Sequence, residues 1–128
     1  MAFIPVRDLA AARSFYGQVL GLRMRDENPF AVILSSGGTA VRLTHVENHQ
    51  PQPFTVAGWQ VSDIGSTVEA LESRGVAFTH YDGMAQDERG IWTAPSGEQV
   101  AWFKDPDGNT LSLTRLAMSV SPVPERNR

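Results

Sequence analysis

Two stretches of the chain share one pattern of apolar and polar positions. FIPVRDLAAARSFYGQVLGL (Phe3 to Leu22) and GWQVSDIGSTVEALESRGV (Gly58 to Val76) each alternate through a strand ending in V-x-D. Both then change to a helical period and stop at a glycine. Val6 matches Val61 and Asp8 matches Asp63, at a spacing of 55 residues. Each aspartate is placed to accept from the orphan N–H groups of a first helical turn. In the first helix Leu9, Ala12, Tyr16 and Val19 form one apolar stripe, flanked by Phe15 and Leu20, and Gly21 ends it. In the second, Ile64, Val68 and Leu71 form the stripe, and Gly75 ends the helix after Arg74.

Strand-like runs follow each helix. After the first come Arg23 to Arg25, Ala31 to Ser35 and Thr39 to His45, with SSGG as a hairpin turn. After the second come Ala77 to Tyr81, Ile91 to Ala94, Glu98 to Lys104 and Thr110 to Arg115. Between the last two, Pro106 and Gly108 of DPDG supply the φ values of a tight turn. The pattern predicts an α+β fold of two tandem βαβββ modules, module one about 1–50 and module two about 51–116, in one domain over 1–116. Residues 117–128, reading MSVSPVPERNR from Met118, are polar and proline-broken and are expected to form a flexible tail.

Composition narrows the classes of function. A chain of 128 residues with 41% hydrophobic and 20% charged residues is an ordinary soluble domain. No apolar run approaches the ~20 residues that span a bilayer. MAFIPVRDL has no basic region ahead of an apolar core, so no secretory signal is expected. The net charge of −3, with no basic stripe, argues against nucleic acid and anionic membrane as partners. The absence of cysteine excludes disulfides, thiolate zinc sites and cysteine nucleophiles. A cytoplasmic location is the expectation. The chain has no Ser-His-Asp pattern, no glycine-rich phosphate loop and no HExxH.

A duplicated βαβββ chain with V-x-D-[LI] before a helix, FY inside it and DPDGN before the last strand resembles the vicinal oxygen chelate superfamily. That superfamily includes glyoxalase I, extradiol dioxygenases, and fosfomycin- and bleomycin-resistance proteins. The resemblance covers residues 1–116, and VRDLAAARSFYGQVLGL and WFKDPDGNTLSL carry most of it. These motifs cap helices and make turns, so they imply a fold rather than a chemistry. The implied architecture is a curled mixed sheet around a central cleft, with helices on the outer face. A metal on the cleft floor is usually held by His or Glu from four strands. Carried over by motif spacing, the four positions fall on Met1, Arg42, Val56 and Ser112. None suits a hard divalent ion, and Arg42 would repel one. Their neighbours are Ala2, Val41 and Leu43, Phe54 to Ala57, and Leu111 and Leu113, so a one-residue slip restores no ligand. No metal and no cofactor are expected.

Such a cleft would be lined by inward residues of the same strands. The polar candidates are Arg42, Thr44, Gln60, Thr110, Ser112 and Thr114, beside Val56, Gly58, Val100 and Trp102. Arg42 either anchors a carboxylate or phosphate by paired hydrogen bonds, or pairs with an internal acid, or sits on a strand face turned to solvent. Trp102 either stacks on a flat ligand or fills a wall, and Trp59 should face the helix side as core. Thr110 and Ser112 either bond a neighbouring strand or contact the ligand. The polar loop from Asp82 to Gly90 is either a surface excursion or a lid, with Met84 and Trp92 closing over an apolar group. His45 and His49, with Glu47 between them, allow an accidental surface metal site, and His80 has no partner near in sequence.

The leading expectation is a glyoxalase/bleomycin-resistance-like protein that binds a small organic ligand in a metal-free cleft. The resemblance also implies a homodimer. The alternatives are a divalent-metal lyase or dioxygenase of the glyoxalase type, and an interaction protein with a vestigial cleft.

Overall fold

The structure, a computed structural model, describes residues 1–117; the expected tail from Met118 onward lies outside them. Among the described residues, eight strands, two α-helices and one π-helical turn follow in the order the duplication requires. Strands β1 (Ala2–Val6), β2 (Arg23–Asn28), β3 (Ala31–Ser36) and β4 (Thr39–His45) form one sheet in the order β1-β4-β3-β2. Strands β5 (Thr55–Gln60), β6 (Trp92–Thr93), β7 (Gln99–Lys104) and β8 (Thr110–Arg115) form a second in the order β5-β8-β7-β6. The two orders are the same permutation, so the sequence repeat is also a repeat of topology. The fold is α+β, with two four-stranded sheets and helices α1 (Leu9–Ser14) and α2 (Ile64–Ser73).

The caps form as the aspartates require. Asp8 accepts from the Ala11 N–H at 3.0 Å, and Asp63 accepts from the Ser66 N–H at 3.1 Å. Each cap residue is extended, at φ −118° and −135°, so its carboxylate can turn back on the third helical N–H. The first helix departs from its expected stripe. After Ser14 it loosens into a π-helical turn, Phe15–Val19, in which the Leu20 N–H reaches the Phe15 carbonyl. The wider turn rotates the stripe. Ala12 and Tyr16 are consequently buried, while Val19 is half-exposed.

The chain divides into two compact units. The first is Met1–Ala57 with Lys104–Leu111, and the second is Gly58–Phe103 with the segment from Ser112 onward. In the first, β1 runs parallel to β4, and the other pairs are antiparallel. Ile4, Val6, Val32, Leu34, Val41 and Leu43 fill its core, and α1 packs over β3 and β4. In the second, α2 buries Ile64, Val68 and Leu71; Phe78, Ile91, Ala101, Phe103 and Leu113 are also buried. Phe78 and Phe103 meet ring to ring at 5.3 Å.

The expected strand from Ala77 to Tyr81 does not form. Only an isolated bridge, Phe78 to Phe103, and one bond from the Thr79 N–H to the Trp102 carbonyl remain. The cause is the side chain of Gln86, which takes the hydrogen bonds a neighbouring strand would have made. Its amide nitrogen donates to the Thr79 and Gly90 carbonyls at 2.9 and 2.7 Å, and its oxygen accepts from the Tyr81 N–H at 2.7 Å. With that run removed, the second half has three strands after its helix, as βαβββ demands.

The DPDGN passage is a turn, as expected, and also a buried polar node of the first unit. One Asp105 oxygen accepts from the Asp107 and Asn109 N–H groups. The other accepts from the Tyr16 hydroxyl at 2.7 Å and the Asn109 amide at 2.9 Å. Asp107 accepts from the Arg7 N–H and Nε at 2.8 and 3.1 Å, while its second carboxylate oxygen is buried without a partner. Asn109 also donates to the Pro5 carbonyl, which turns its own oxygen toward His49 at 2.7 Å. That orientation makes His49 Nε2 the donor.

Candidate functional site

The sequence-predicted residues divide between the two units. In the first, Val41 and Leu43 of β4 are buried toward α1, so alternation turns Arg42 and Thr44 to the other face of the sheet. Both are half-buried. The Arg42 Nε donates to the Thr44 hydroxyl at 3.3 Å. Phe3 on β1 and Ile33 on β3 are the register partners of Arg42. Phe3, which the sequence reading passed over, is 65% exposed. Its signal was available, because Ile4 and Val6 are core and alternation sends Phe3 outward. Val56 is half-buried, and Thr110 is only 3% exposed.

In the second unit, Ser112 lies against Gly58. A Cβ at residue 58 would stand 2.5 Å from the Ser112 hydroxyl oxygen, so the absent side chain is what gives that hydroxyl its place. Ser112 is 7% exposed and offers little surface to a ligand. Gln60 is exposed at the end of β5.

Trp92 and Trp102, singled out separately from the sequence, lie together in the structure. Trp92 is in register with Val100, and Trp102 lies two residues on along β7, so both rings share a face. That face is opposite to buried Ala101 and Phe103. The indoles are 6.4 Å apart and inclined at 37°. Tyr81 adds a third ring, edge-on to Trp102 at 5.5 Å. Tyr81 was not among the expected site residues, because Ala77 to Tyr81 reads as a strand in sequence and forms none in the structure. Trp92 and Trp102 are half-buried, while Tyr81 and Met84 are exposed. Rings so spaced and inclined form a faceted apolar cluster with polarised edges.

The loop that carries Met84 is stapled. Besides the Gln86 bonds, one Asp87 oxygen accepts from the Arg89 and Ile91 N–H groups, both at 2.9 Å. The Arg89 guanidinium reaches the Gly65 carbonyl and the Glu69 carboxylate of α2. These bonds make the segment a fixed rim beside the rings; a hinged lid would have to break them.

A cavity of about 610 Å³ lies elsewhere in this unit, at the start of α2, lined by Asp63, Asp87, Arg89, Gln99 and Arg115 among others. It includes none of the sequence-predicted residues. Asp63 and Asp87 already cap backbone N–H groups, and Arg89 is held on α2. Three of its four charged groups, Asp63, Asp87 and Arg89, therefore serve the local fold.

The donor chemistry at the four metal positions does not fit a divalent ion. Met1 offers a thioether, Val56 nothing and Ser112 a buried neutral hydroxyl, while Arg42 is a fixed cation. Among the described residues no group of three or more His, Asp or Glu converges. His49, one half of the surface pair considered from sequence, is bonded to Asn109. Among the described residues, no helix is long and apolar enough to cross a membrane.

Comparison with known proteins agrees with the architecture. Residues 1–113 match the sequence model of the Glyoxalase/Bleomycin resistance protein/Dioxygenase superfamily. The chain belongs to that superfamily. Among solved structures it is similar to a lactoylglutathione lyase from Agrobacterium tumefaciens, at 19% identity and TM-score 0.71 over 91% of each chain. It is similar to an integron cassette protein from the mobile metagenome of the Halifax Harbour sewage outfall, at 25% identity and TM-score 0.70, over 90% of this chain and 95% of that one. It is also similar to TnmS3, an antibiotic binding protein from Streptomyces sp. CB03234, at 22% identity and TM-score 0.64, over 88% and 90%. No curated protein matches the chain.

Proposed function

We propose that the protein binds a small, flat organic ligand without a metal ion, as a glyoxalase/bleomycin-resistance-like binder. The observation that carries this reading is the ring group of Tyr81, Trp92 and Trp102, preordered at 5.5 and 6.4 Å on one side of β7. An aromatic contact is worth about 0.5–1.5 kcal/mol beyond its buried area, and fixed rings lose little entropy on binding. Met84, on the stapled rim, supplies a soft apolar contact suited to ligands of varied shape. The reading needs no reaction, which agrees with the poor donor set at the metal positions. That a similarly folded chain is an antibiotic binding protein supports the ligand class by analogy.

The proposed working state is a cytoplasmic homodimer, in line with the large apolar side chains of Phe30 and Phe54 left exposed on the first unit. Sedimentation equilibrium reads the mass directly. A thermal-shift screen of aromatic antibiotics and flat heterocycles tests the binding. At least one class should raise the melting temperature of the wild type and leave Trp102→Ala unmoved. Equal shifts in both proteins would remove the rings from the site.

A further inference from the structure

The open face of the first sheet holds a second recognition element, independent of the rings. Arg42 stands between Phe3 and Ile33, its register partners on the two flanking strands. Side chains so paired lie roughly 5 Å apart at Cβ, so the guanidinium has an apolar neighbour on each side. Its Nε is tied to the Thr44 hydroxyl at 3.3 Å, a bond that uses one donor of the guanidinium and neither of its two terminal nitrogens. No acid compensates the charge among the described residues: the ion pairs there join Arg7 to Asp107, Arg13 to Glu27 and Arg89 to Glu69. Asp26, the acid nearest in register, lies beyond Ile33, and its carboxylate accepts from the Glu27 N–H.

Half-buried Arg42, flanked by apolar groups, has the Thr44 hydroxyl as an acceptor for its Nε and no carboxylate paired with its charge among the described residues. An anion with two oxygens in one plane takes paired hydrogen bonds from the fork, which a single-point cation provides less well. We infer that Arg42 anchors a small amphipathic carboxylate, its charged end on the guanidinium and its flat apolar body over Phe3. The inference rests on the reading of the protein as a small-molecule binder. It names the ligand class and places the charge on Arg42.

Calorimetric titration with 2-naphthoate and its neutral isostere 2-naphthamide tests it. The wild type should bind the acid at least about tenfold more tightly than the amide, the worth of one charge-assisted hydrogen bond. Arg42→Ala should lose that preference, and Arg42→Lys should recover only part of it, while both keep the wild-type melting temperature without ligand. Phe3→Ala should weaken both compounds alike. If acid and amide bind equally and Arg42→Ala changes nothing, the anchor is overturned and the binding reading stands. If the wild type takes up neither compound nor any member of the aromatic screen, both are overturned.

Discussion

Tyr16 and Asp105, separated by 89 positions in the chain, meet in a buried hydrogen bond of 2.7 Å. The tyrosine belongs to the helix of the first module and the aspartate to the turn before the last strand. The same carboxylate takes three further bonds from Asp107 and Asn109. The turn is therefore shaped from within by Asp105 and fixed by Tyr16 to the π-helical turn that follows α1.

Burial, and then the charge of Asp105, raise the Tyr16 hydroxyl far above the usual tyrosine value. Its folded-state pKa thus lies above its unfolded one, so its contribution is complete below about pH 10 and declines as pH rises beyond that. There the unfolded chain releases a proton that the folded chain keeps. Urea unfolding should show the wild type losing up to about 1.4 kcal/mol per pH unit from this residue above about pH 10. Tyr16→Phe should remove that slope and cost about 1–3 kcal/mol at pH 7, through the lost buried bond. An unchanged alkaline slope in the variant would disprove the assignment.

Gly58 and Ser112 should behave as a coupled pair. Gly58→Ala sets a methyl 2.5 Å from the Ser112 oxygen and 3.3 Å from its carbonyl, and should cost about 1–3 kcal/mol. Ser112→Ala removes the nearer clash, so the double variant should regain most of that loss. Simple additivity of the two changes in denaturant unfolding would contradict the packing described.

Gln86 should govern the order of the segment it braces. Gln86→Ala removes three hydrogen bonds from a half-buried side chain and should cost about 1–3 kcal/mol. Hydrogen exchange at the Tyr81 amide should then rise selectively, while exchange in the first sheet stays as before. Unchanged Tyr81 exchange would mean that the glutamine does not hold the segment.

How much of this was legible in the sequence follows from which interactions are local. The caps at Asp8 and Asp63, the glycine stops and the alternation of β4 and β7 depend on near neighbours, and all were readable. Alternation also set Arg42 on the face of β4 opposite Val41 and Leu43, whereas the meeting of Trp92 with Trp102 depends on the pairing of β6 with β7 and was not foreseen. DPDGN was readable as a turn, but its bonds to Tyr16 and Arg7 are tertiary and left no local trace. The run from Ala77 to Tyr81 had the composition of a strand, and only the position of Gln86 in space shows why it has no ladder. Tyr81 was missed with it. Phe3 was within reach, since the alternation that buries Ile4 also exposes its neighbour.

The central claim is that this superfamily member holds its ligand with side chains alone. Titration of tryptophan fluorescence with the strongest compound of the aromatic screen, on protein dialysed against a chelator, tests it most directly. The account predicts saturable quenching that is unchanged when Ni, Zn, Mn or Fe is restored, and that is abolished in Trp102→Ala. Binding that appears only on adding the metal, or that survives the loss of Trp102, would contradict it.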